Sequence, residues 1–254
     1  MIDELLARQS LPAILLLIAA AFIAALARGF SGFGGALIFI PLASAAIGPK
    51  AAVPILLVID GVTQLALLKN AWRQADRREV ATMAGGALIG IPLGAAVLNI
   101  VDPVLLRWAI AVLIVAMLAL LISGWRYHGQ PNARTTVGVG FAAGILSGAI
   151  QAAGPPVVAY WLGGAGTPSM VRANIILFFF CTSIVAALSY LATGLLGIEV
   201  LLLAALTVPF YALGMYIGTR MFGLASERLF RRTCLTLIAA AAMVSLPAFD
   251  SFLR

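Results

Sequence analysis

The chain has 254 residues, 63% of them hydrophobic and 10% charged, with a formal net charge of +7. Soluble domains carry about a quarter charged residues, so this composition speaks against a globular protein in water. The basic residues fall in short linkers between apolar runs, where they orient spans in a bilayer rather than build a face for a duplex, and no nucleic-acid partner is expected.

Taken in order, the apolar runs predict an all-α polytopic membrane protein. Ile2–Arg8 reads as a short interfacial start. With Asp3 and Glu4 ahead of Arg8 and no small-residue cleavage site, the run that follows is expected to be a retained span rather than a signal peptide. Helical segments are predicted at 11–27, 36–47, 51–69, 80–98 and 104–122 in the first half, and at 136–150, 155–162, 171–191, 199–220 and 229–246 in the second. Several are long enough for about 30 Å of hydrocarbon. The linker Lys69–Glu79 is the strongest positive cluster and reads as cytoplasmic, with Trp72 as an interface anchor. Arg220, Arg228, Arg231 and Arg232 mark a second cytoplasmic linker, whereas Gly194–Glu199 lacks positive charge and reads as external.

Two stretches interrupt this pattern. Arg28-Gly29-Phe30-Ser31-Gly32-Phe33-Gly34-Gly35 and Ser147-Gly148-Ala149-Ile150-Gln151-Ala152-Ala153-Gly154-Pro155-Pro156 place helix breakers between apolar flanks. Broken backbone at membrane depth is tolerated only inside protein or beside a water-filled cavity, and one such break in each half points to a transporter's binding site. Pairing Ser31-Gly32 with Ser147-Gly148, Pro49 with Pro168, and Gly90–Gly94 with Gly214–Gly218 predicts an internal repeat, residues 1–125 and 126–254, within one membrane domain. Each repeat has a broken or re-entrant helical pair followed by three spans. Five elements per half, with both basic linkers inside, invert the second repeat relative to the first and leave both termini external.

The chemistry is expected where the breaks meet near the midplane. Helix starts at Gly34, Gly35 and Gly154 offer backbone N–H groups and a positive dipole end, which suit an anion. Arg28 can fork onto two oxygens of one anion, the alternative being an arginine that snorkels to headgroups. Ser31, Ser147 and Gln151 are candidate neutral donors, or bond helix carbonyls instead. Asn174 is a further candidate, either for substrate or as a cap or bridge in the bundle. Asp60, with Gln64 one turn away, is the candidate for proton coupling; a static pair with Arg28 or Na+ binding are its alternatives.

No enzyme is expected: the chain has no HExxH, no Walker loop, and no GxSxG elbow around Ser31. Its one histidine, His128, lies in a polar linker and reads as a solvated loop residue. Cys181 and Cys234 form no CxxC pair and support neither a disulfide scaffold nor a metal site. Neither cofactor nor metal is expected.

The motifs Gly29-Phe30-Ser31-Gly32-Phe33-Gly34-Gly35 followed by Pro41, and Gly144–Gly148 followed by Gly154-Pro155-Pro156-Val157-Val158, resemble the sulfite exporter TauE/SafE family, also called the 4-toluene sulfonate uptake permeases. The resemblance covers essentially the whole chain. It implies a bacterial inner-membrane carrier among lipids for sulfite, organosulfonates or related small anions. Exporters and uptake proteins both occur in the family, and proton coupling is ascribed to some. Arg28 is not carried over from the family and stands on its chemistry alone. Direction, coupling ion and oligomeric state stay open.

Overall fold

The computed structural model describes residues 10–31, 34–127, 132–164, 166–221 and 227–246, with the backbone alone described at 31, 66 and 227–232. Among them are ten helices and no strand: α1 (Leu11–Ser31), α2 (Gly35–Ile47), α3 (Pro49–Gln74), α4 (Arg77–Ile100), α5 (Pro103–Ser123), α6 (Ala133–Ile150), α7 (Gly154–Trp161), α8 (Pro168–Ala192), α9 (Ile198–Met221) and α10 (Glu227–Ser245). Their order is that of the ten segments predicted from the sequence. Six of them are long and apolar enough to cross a membrane, and α3, bent by 70° between Leu65 and Leu67, makes a seventh if counted as one span. Large apolar side chains such as Ile89, Val112 and Leu188 point outward, each more than 60% exposed. A water-soluble surface rarely tolerates such a belt, and lipid requires it.

Helix starts follow local chemistry. Asp76 Oδ1 accepts from the amides of Arg78 and Glu79 to open α4, and Asp102 Oδ1 accepts from Val104 and Leu105 to open α5. Asn132 and Thr135 form a reciprocal capping box at α6, and Thr167 caps α8 ahead of Pro168 at its first position.

The chain forms two compact units, and neither is one half of the sequence. The first holds α1, α2, α3 up to Ile59, α5 up to Leu118, α9 and α10. Its core is the buried stripe Leu17, Ala20, Ala21, Ala24 and Ala25 of α1 with Phe39 and Ile40 of α2. Here α1 packs on α9 and α2, and α2 on α10. The second unit holds the rest of α3, α4, the end of α5, α6, α7 and α8. In it α4 packs on α6 and α8.

Glycines make both main seams. A β-carbon on Gly86, Gly90 or Gly94 of α4 would fall on the carbonyl oxygens of Val137, Phe141 and Ile145 of α6. On the other seam, a β-carbon at Gly214 would lie 2.5 Å from Phe22 O, and one at Gly218 would meet Leu26 O. Backbones this close gain dispersion contacts along their length, the usual basis of small-residue seams in membranes.

Three element boundaries recur at one interval. Ser31, Gly35 and Pro49 lie 119 residues before Ile150, Gly154 and Pro168. Numbered by these three boundaries, Ser31 falls opposite Ile150, three residues from the Ser147 with which the sequence pairs it. The seams keep the same register. Gly29 faces Met215 and Thr219, and Gly148 faces Ile91 and Ala95; Gly214 meets Phe22 and Gly90 meets Phe141.

Candidate functional site

In the first unit, α1 stays helical through Arg28, Gly29 and Phe30 and ends at Ser31. Arg28 thus sits in the last turn, where the carbonyl end of the helix favours a cation. The side chain of Ser31 lies outside the described residues, as do Gly32 and Phe33. The chain re-enters helix at Gly35 after Gly34, whose φ of 90° is left-handed, a conformation open to glycine at little cost. Leu37 N donates to Gly34 O at 3.0 Å, so the first turn of α2 is closed. The Gly35 and Ala36 amides precede any possible intrahelical bond. Arg28, half-buried, lies across this start: a β-carbon on Gly35 would sit 3.2 Å from Arg28 Cβ and 3.5 Å from Arg28 Cδ. The arginine's stem and a helix N-terminus thus share one small region.

The second unit contains a break of another character. α6 ends at Gln151, with φ 55° and ψ 22°, the only non-glycine residue of positive φ among those described. Gln151 N donates to Ser147 O at 3.0 Å, and Ala152 N to Leu146 O at 3.4 Å. Tyr190 of α8, fully buried, reaches the same helix end. Its hydroxyl donates to Gly148 O at 2.6 Å, with Ser147 O at 3.4 Å, and accepts from Gln151 Nε2 at 3.2 Å. Ser147 is buried against this network. α7 then starts at Gly154-Pro155-Pro156. Proline has no N–H, and Val157 N already donates to Ala153 O, so Ala153 and Gly154 carry the amides left for a ligand. Pro155 thus removes an amide at the second position of α7, where Ala36 keeps one in α2.

Two expected site residues have other partners. Asn174 is 1% exposed, accepts from Asp76 N at 2.8 Å, and lies 3.5 Å from Glu79 Oε2 through its amide nitrogen. It bridges α8 to the turn between α3 and α4, the bridging alternative read from the sequence. Asp60 accepts from Gln64 Nε2 at 2.7 Å along α3, so the predicted one-turn polar pair forms. His128 lies outside the described residues. Among those residues, no group of three or more His, Cys, Asp or Glu could hold a metal ion.

The family model for sulfite exporter TauE/SafE matches residues 17–245, from α1 to the end of α10. The chain belongs to that family. Compared with the curated proteins and with the solved structures, it shows no significant match to either. A TauE/SafE protein is a multi-pass membrane transporter of sulfite or related sulfur anions, and both breaks lie inside the matched region.

The TauE/SafE chain also uses residues that the sequence reading passed over. Tyr190 is one; a tyrosine in an apolar helix must find a partner for its hydroxyl, and that requirement was its only signal. Arg107 is another: 8% exposed, it donates from Nη2 to Ser245 O at 3.1 Å, at the carbonyl end of α10. Its signal was a charge just inside the fifth apolar segment.

Proposed function

We propose that this TauE/SafE protein is a secondary transporter that moves sulfite or a small organosulfonate by alternating access. The observation that carries the reading is the stem of Arg28 laid over the first residue of α2. That arrangement joins a permanent cation to a helix N-terminus in an apolar chain, two groups that each attract an anion. The first break is the charged anion contact. Gln151 and Ser147 at the second break supply neutral donors, and Asp60 with Gln64 is the candidate pair for coupling to protons.

The 119-residue interval shared by three element boundaries and the matched glycine seams support two repeats with five helices each. An odd number of elements between basic linkers of one side makes the repeats inverted. Inverted repeats exchange conformations to open alternately on each side. In this reading the protein lies in a bacterial inner membrane with both termini outside.

The test is flux in proteoliposomes, with labelled sulfite, thiosulfate, organosulfonates and carboxylates under imposed pH and Na+ gradients. Saturable, gradient-driven flux of a sulfur anion with counterflow is expected; flux of carboxylates alone would overturn the substrate, and flux without counterflow the carrier mechanism. Arg28→Gln is expected to weaken anion binding by about tenfold or more, the loss of a charge-assisted hydrogen bond. Unchanged binding removes Arg28 from the site.

A further inference from the structure

We propose that Tyr190 sets the polarity of Gln151, holding its amide so that the second break presents a donor to an anion. The inference rests on the reading of that break as part of the anion path. The geometry is restrictive. A phenol has one hydrogen, and Tyr190 gives it to Gly148 O at 2.6 Å. Its oxygen is then only an acceptor, so the side chain of Gln151 must turn its NH2 toward Tyr190, as the 3.2 Å contact records. One amide hydrogen is consumed and the second is left as a fixed donor. Tyr190 also covers the carbonyls of Gly148 and Ser147, and the amides of Gln151 and Ala152 occupy those of Ser147 and Leu146. Three carbonyls at the negative end of α6, which would repel an anion, thereby have donors. Tyr190 touches no substrate in this scheme; it is a positioning residue acting through Gln151.

With phenylalanine at 190, the glutamine is free to flip and show its carbonyl oxygen, and Gly148 O loses its donor. Tyr190→Phe is expected to raise the KM for sulfite in proteoliposomes by between about twofold and tenfold, the worth of one hydrogen bond, with Vmax changed less than twofold. Gln151→Leu should do the same, and the double variant should be no worse than Gln151→Leu alone. 3-Fluorotyrosine incorporated at 190 retains ring and hydroxyl but is a weaker acceptor, so it should raise KM in the same direction in a folded protein. Lowered thermal stability with an unchanged KM in both variants would make Tyr190 purely structural, and multiplying effects of the two substitutions would break its link to Gln151. Either result overturns the inference while wild-type flux of sulfite upholds the transport reading. A wild-type protein inert toward every sulfur anion removes both.

Discussion

A single arginine carries the electrostatics of the first break, and its setting separates charge from shape. Arg28 ends α1, where the dipole favours any cation, but its contact with Gly35 depends on the path of its stem. Arg28→Lys keeps the charge and most of the stem and loses the planar fork. It should fall between the wild type and Arg28→Gln in sulfite affinity, as read by equilibrium binding to the purified protein. Gly35→Ala acts from the other side: its β-carbon at 3.2 Å from both Ala24 O and Arg28 Cβ pushes the arginine off the helix start. A severalfold weaker affinity is expected at nearly unchanged melting temperature; an affinity equal to the wild type would detach the arginine's position from binding. Arg28 was legible because charge in an apolar run is costly and therefore conspicuous. The restraint that Gly35 places on it was not, since a glycine's neighbours across a break are absent from its own sequence context.

At the scale of elements, the number, order and approximate limits of the helices were legible from hydrophobic runs and turn residues. The stop of α1 was less so. Arg28-Gly29-Phe30 reads as a breaker, yet it is the last helical turn, because Gly29 serves a seam. Its missing β-carbon lets α1 approach α9 at Met215 and Thr219. Glycine lowers helix propensity by about 1 kcal/mol, and close backbone packing offsets that loss. Gly148 has the corresponding place between Ile91 and Ala95 of α4. Gly29→Ala and Gly148→Ala are each expected to destabilise by about 1–3 kcal/mol through overpacking, measured as thermal unfolding in detergent. Gly85→Ala, where a β-carbon meets nothing within 4 Å, should be neutral or stabilising. Similar melting temperatures for all three variants would mean that the seams are not close-packed in the membrane.

For the molecule as a whole, the sequence supplied elements without addresses. A period-four glycine row announces a close helix contact and leaves the partner unnamed, so the exchange of helices between halves could not be read in advance. In the first compact unit α1 lies on α9, and in the second α4 lies on α6; both seams join an element before residue 125 to one after it. Neither half therefore holds its own glycine partners. Expressed alone, residues 1–125 would leave the glycine row of α4 and Gly29 of α1 facing lipid, without the backbone that fills those gaps. Residues 126–254 would expose α6 and α9 in the same way. Each half alone is expected to be degraded or to insert without protease resistance, while co-expression of the two should restore a resistant complex, as read by membrane abundance and limited proteolysis. Lipid cannot enter a gap shaped for a carbonyl oxygen, so the loss should exceed that of any single glycine substitution. A stable, protease-resistant 1–125 fragment would mean that each half folds on contacts of its own, and the seams between halves would then be secondary to the fold.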